Sequence, residues 1–167
     1  MSASALRPHA ARQAFRMHTY LRAELYIPDP VPAVLTDLSG TGAQLYIEGM
    51  PADFDLTAPL RLDLHLPAEF VAEQARRRTA ARPAHRRWVH PRPFMADELY
   101  ARAGESLRRA FRRIEAQPLQ ALPGDTPGLC RFSVAFARPH EGCFRLVRHL
   151  ERRTLQNASA PQPSLAA

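Results

Sequence analysis

In several stretches between residues 20 and 66 apolar side chains return at every second position, the spacing of strands with one face in a core and the other in water. In residues 20–27, Leu21, Ala23, Leu25 and Ile27 share one face while Arg22 and Glu24 take the other. Asp29, Pro30 and Pro32 read as a turn, and residues 33–38 as a second strand that stops at Ser39-Gly-Thr-Gly42. Ala43, Leu45 and Ile47 alternate again, which makes 39–42 the turn of a hairpin. A fourth strand at 60–66 turns Leu60, Leu62, Leu64 and Leu66 inward and Arg61, Asp63 and His65 outward.

The period then changes. Residues 68–77 suit a short helix, whereas 76–92 carry seven arginines, no acid, and prolines that oppose a long regular element. Residues 94–116 show a helical stripe of Leu99, Ala103, Leu107, Ala110, Phe111 and Ile114. Asp97 and Glu98 near its start and Arg112 and Arg113 near its end suit the helix dipole. Gly104 costs such a helix about 1 kcal/mol against alanine, so packing must hold it. Further on, 119–122 and 129–138 flank a Pro-Gly-Asp-Thr-Pro-Gly turn and read as a hairpin, with Cys130, Phe132, Val134 and Phe136 on one face. Residues 85–89 compete with 119–122 for the role of fifth strand. A last amphipathic helix at about 143–155 presents Leu146, Val147 and Leu150 to the core. Residues 1–11 read as a flexible arm, and the Ala/Ser/Pro/Gln-rich residues 157–167 as a disordered tail. Short strands, a closing helix and no strand–helix–strand alternation predict a mainly β fold. It is a small antiparallel barrel over 12–156, with a helical segment inserted at about 68–116 and a C-terminal helix.

Composition narrows the function. The 167 residues suit one domain, and 46% hydrophobic residues a soluble globular one. No apolar run approaches the roughly 20 residues that span a bilayer, and the start lacks a signal-peptide pattern, so a cytoplasmic location is expected. All 23 basic residues are arginine, and the charge of +7 is uneven. Residues 1–66 hold five arginines against seven acids, residues 67–167 eighteen against nine. A basic surface for nucleic acid would therefore have to come from the back of the chain. Cys130 and Cys143 lack metal-ligand spacing, and the seven histidines form no ligand pair, so neither metal nor cofactor is expected. No serine sits in a nucleophile elbow and no nucleophile–base constellation can be named, so no catalysis is expected.

Two short patterns remain. Arg12-Gln-Ala-Phe-Arg16 stands just ahead of the first strand, and Asp37-Leu-Ser39-Gly40-Thr-Gly42 at the tip of the second. The arginine pair alone says little, because six pairs with that spacing occur in the chain. The Asp-x-Ser-x-x-Gly pattern occurs once, and would serve as a hairpin turn with no ligand. Their combination is more specific: they come in order, Asp37 follows Arg16 by 21 residues, and one strand and turn fill the interval.

In this arrangement the chain resembles the PilZ family, over residues 12–66 and again over 119–155. The resemblance implies a six-stranded antiparallel barrel that binds cyclic di-GMP and passes the signal to a downstream protein, in motility, biofilm or exopolysaccharide control. It assigns ligand contacts to Arg12, Arg16, Asp37, Ser39, Gly40 and Gly42. The chemistry is consistent. A guanidinium forks onto phosphate oxygens or the O6/N7 edge of guanine, or stacks on its face. A carboxylate at Asp37 can accept the N1 and N2 donors of guanine, and Ser39 can add a hydroxyl contact. Gly40 and Gly42 allow positive φ and close approach of a ligand to backbone. His18, two residues past Arg16, is a further candidate contact. One departure is Ala11, where many family members have another arginine, which leaves the ligand stoichiometry open. The 94–116 helix either packs on its own barrel or pairs subunits. Two rival readings are a PilZ-fold adaptor that binds no nucleotide, and an arginine-driven nucleic-acid binder built on 76–92 with Trp88.

Overall fold

The computed structural model describes residues 16–27, 29–49, 54–80 and 93–159. Six strands, β1 (Met17–Ile27), β2 (Asp29–Leu38), β3 (Gly42–Glu48), β4 (Leu60–Leu64), β5 (Ile114–Pro123) and β6 (Leu129–Phe136), close into a barrel in the order β1-β2-β3-β6-β5-β4. Every pairing is antiparallel. Between β4 and β5 lie helices α1 (Ala68–Ala80) and α2 (Pro93–Ala110), and α3 (Glu141–Ser159) follows β6.

Alternation builds the interior. Leu25, Leu35, Leu45, Leu62 and Phe132 are fully buried at the inward positions of five strands, and one continuous cluster joins them to the helices. Phe70 of α1, Leu107 of α2, Phe111 and the α3 residues Cys143, Leu146 and Val147 belong to the same cluster. Leu107, Phe111 and Ile114, at the end of the insertion's stripe, thus join the barrel core, while α2 itself lies along α1. Phe70 and Phe111 meet edge to face with centroids 6.1 Å apart, and the Leu64 N–H donates to the Phe111 carbonyl at 3.0 Å.

Several boundaries differ from the sequence expectation. Asp29, Pro30 and Pro32 are strand rather than turn, paired with Ile27, Tyr26 and Glu24. Strand β3 joins β2 only from Ala33, so the prolines occupy a stretch paired on one side, where a missing N–H need break no ladder. The predicted 94–116 helix ends at Ala110, and Ile114 already begins β5. Arg113 turns the chain with φ of 55°, left-handed backbone that a helix cannot continue, and its N–H donates to the Asp63 carboxylate. The fifth strand is Ile114–Pro123, which contains residues 119–122. Helix α3 begins at Glu141 and runs to Ser159, taking in three residues of the expected tail. His140 caps it: its Nδ1 accepts the Cys143 N–H at 3.1 Å, while Nε2 lies 3.0 Å from the Ala110 carbonyl, tying the end of α2 to the start of α3. The arm at 1–11, most of the tail and residues 81–92 lie outside the described residues.

The antiparallel register brings the starts of β1, β3 and β5 and the ends of β2, β4 and β6 to one end of the barrel. All three helices depart from or return to that end.

Candidate ligand site on the barrel wall

Register determines where the two motifs meet. Met17 pairs with Leu38 and His18 with Asp37, so Arg16, exposed and just ahead of β1, stands at the same barrel end as the turn after β2. His18 Nδ1 lies 3.2 Å from Asp37 Oδ1, with side chains 68% and 26% exposed, so both remain open to a ligand. Arg12 lies outside the described residues.

A bulge aims Asp37. Leu35 pairs with Leu45 but Asp37 pairs with Gln44, leaving Thr36 as the extra residue in β2. Its hydroxyl lies 3.4 Å from the Gln44 carbonyl. The added residue lets Leu35 and Leu38 both point inward at 0% exposure while Asp37 turns to the outer wall.

Ser39 is used differently. It is 2% exposed, its Oγ accepts the N–H groups of Thr41 at 3.2 Å and Gly42 at 3.1 Å, and its hydroxyl donates to the Gly42 carbonyl at 3.1 Å. The hydroxyl thus closes the turn. The glycines also differ from expectation, since among the described residues positive φ in glycine occurs at Gly49 and Gly128, not at Gly40 or Gly42. Crowding accounts for both. A Cβ on Gly40 would overlap the Phe144 ring of α3, and one on Gly42 would overlap the Val134 carbonyl oxygen of β6. The Gly40 carbonyl accepts the His140 N–H at 2.7 Å, so the motif turn is seated directly on the start of α3.

Outside the barrel, an open groove of about 1160 Å³ runs along β1, β2, β3 and β6 and includes His18 and Asp37. Its floor is a row of successive cross-strand partners, Arg22, Val34, Tyr46 and Arg131. Three strand spacings place the arginines about 14 Å apart along the sheet, with an aliphatic and an aromatic side chain between them. Val34 is 45% exposed, although an outward strand position would ordinarily be polar. Such a row can bracket a flat, anionic ligand, with cations for phosphate at its margins and a ring face for a base. The strand alternation already turned Arg22 outward; the link from Tyr46 to Arg131 depends on β3 pairing with β6, which spacing along the chain does not reveal. Among the described residues, no group of three or more histidine, cysteine or acidic side chains is placed to hold a metal ion, and no helix is long and apolar enough to cross a membrane.

Strand order, closure, the motif turn and the helix after β6 define a PilZ-like barrel. Two solved structures share the fold. The PilZ domain of YcgR from Escherichia coli, solved with c-di-GMP, aligns with a TM-score of 0.55 and 13% identity over 91% of this chain and all of that one. The Bacillus subtilis inhibitor of motility MotI/DgrA aligns with a TM-score of 0.52 and 15% identity over 88% of this chain; the alignment covers 53% of that chain, so this chain spans about half of it. No protein-family model and no curated protein sequence matches the chain.

Proposed function

We propose that the chain is a cyclic di-GMP receptor whose ligand lies against the outer wall of β1, β2 and β3, and that it signals by protein contact rather than by catalysis. The observation that carries this reading is the approach of the two motifs. Arg16 directly precedes the strand whose His18 lies 3.2 Å from Asp37, and both His18 and Asp37 open into the groove. Arg12 and Arg16 would close over the ligand as the arm folds down, with Asp37 reading a guanine edge. The likeness to a PilZ domain solved with c-di-GMP supports the choice of ligand. A route for the signal is also present in outline, because the motif turn carries the first turn of α3 through Gly40, His140 and Phe144.

Calorimetric titration with cyclic di-GMP tests the proposal. The wild type should bind, and Arg16→Ala or Asp37→Ala should each weaken binding tenfold to a hundredfold, the loss of about 1.5–3 kcal/mol for one charged hydrogen bond. Absence of heat with the wild-type protein would remove the receptor reading. It would leave an adaptor that keeps the barrel without the nucleotide, which one observation favours: Ser39, Gly40 and Gly42 are each accounted for by the turn and its packing.

A further inference from the structure

A second groove, sharing no residue with the first, lies between α1 and α3 and measures about 730 Å³. Its walls carry Arg77 and Arg78 from α1, Arg145, Arg148 and Arg152 from α3, and a single acid, Glu151. On α3 the three arginines stand at i, i+3 and i+7, which places them on one helix face over about 10 Å of rise. Arg77 and Arg78 meet them from the opposite wall beside the buried Gln74.

The local acids do not neutralise this trough. Glu73 is shared by Arg77 at 2.6 Å and Arg152 at 3.1 Å, and Glu141 pairs with Arg145. Arg78 and Arg148 make no ion pair with any described residue. Both are exposed, so fold stability does not explain two like charges lining the same trough.

We infer that this trough is a docking site for an acidic segment of a partner protein, one that presents carboxylates along a helix face. Guanidinium forks match carboxylates in a bidentate manner, and a row of three at one helical periodicity matches a row at the same periodicity opposite. Among the described residues the positive charge along these two helices is broken by acids. Glu69 and Glu73 interrupt it on α1, and Glu141 and Glu151 on α3, so the helices offer separate carboxylate-sized sites rather than the continuous basic track that a nucleic-acid backbone requires. The placement suits an output surface, since α3 is the helix seated on the motif turn. The inference does not depend on nucleotide binding.

Fluorescence anisotropy on the full chain tests it, with a labelled helical peptide bearing glutamates at i, i+3 and i+7 and the same peptide with glutamines. The glutamate peptide should bind and the glutamine peptide should not. Arg78→Glu combined with Arg148→Glu should weaken binding by more than about tenfold, and the paired alanine variant by less. Cyclic di-GMP titrations of the same variants should match the wild type, which separates failure of this site from failure of the receptor reading. No binding of the glutamate peptide, equal affinity in the charge-reversed protein, or single-stranded RNA displacing the peptide through the same two arginines would each overturn the proposal.

Discussion

Gly42 of β3 lies so close to Val134 of β6 that a methyl group on it would overlap the Val134 carbonyl oxygen. Backbone cannot swing aside as a side chain can, so Gly42→Ala must spread the β3–β6 ladder where Gly42 pairs with Ala135. A loss of about 1–3 kcal/mol is expected, as for other overpacked sites. Gly40→Ala should cost less, because the obstacle is the ring of Phe144, which is 38% exposed and free to turn outward. Urea denaturation of the two variants checks the order, and equal midpoints would mean that the ladder at Gly42 is looser than described.

Tyr46 gives a prediction about function with little cost to the fold. Its half-buried side chain lies on the outer wall between Val34 and Arg131, away from the core. Tyr46→Ala should lower cyclic di-GMP affinity by about tenfold, the lower part of the range for losing one ring–base stack, while leaving the melting temperature near the wild-type value. Unchanged affinity would remove the groove floor from the proposed site.

The tie between α1 and α3 should be sensitive to acid. Burial alone would raise the Glu73 carboxyl, but the hydrogen bond with His149 and the charges of Arg152 and Arg77 outweigh it and hold the group below its ordinary value of 4.5. A carboxyl depressed in the folded state contributes stability that is complete above the unfolded value and is lost as pH falls through the lower folded one. Denaturation midpoints should therefore drop on acidification below about pH 4.5, and Glu73→Gln should flatten that drop. A variant with the wild-type acid slope would mean that other carboxylates dominate.

The two thiols should differ in reactivity. Cys143 is fully buried, and burial pushes its thiol up to about 12, far from the thiolate form that alkylates. Cys130 is half-buried, its thiol 3.3 Å from the Leu122 carbonyl. Iodoacetamide at mildly alkaline pH should modify Cys130 in the native protein and Cys143 only after unfolding. Mass spectrometry of the labelled peptides distinguishes the two cases.

Period-two patterning made the strands legible, because Leu60, Leu62 and Leu64 or Ala43, Leu45 and Ile47 can all reach a core only as extended chain. It failed where pairing rather than pattern decides. Pro30 and Pro32 resemble turn residues, yet they are strand because one side of β2 has no neighbour there. Phe111 and Ile114 continue the helical stripe by spacing, but Arg113 turns the chain and directs both side chains into the same core from a loop and a strand. At the site, the order of the motifs placed Arg16 and the Asp37 turn at the same end of the barrel, where Met17 pairs with Leu38. The bulge at Thr36, the groove floor and the arginine trough depend on register and on the approach of α1 to α3, which no local window contains.

Closure of the barrel also restricts how anything can recognise it. With β1 hydrogen-bonded to both β2 and β4, no strand lies at a free edge of the sheet, and one-sided pairing is confined to stretches such as residues 29–32 of β2 and 117–123 of β5, both of which carry prolines. A visiting peptide finds few backbone groups against which to add a strand of its own, so recognition on the walls must be written chiefly in side-chain chemistry.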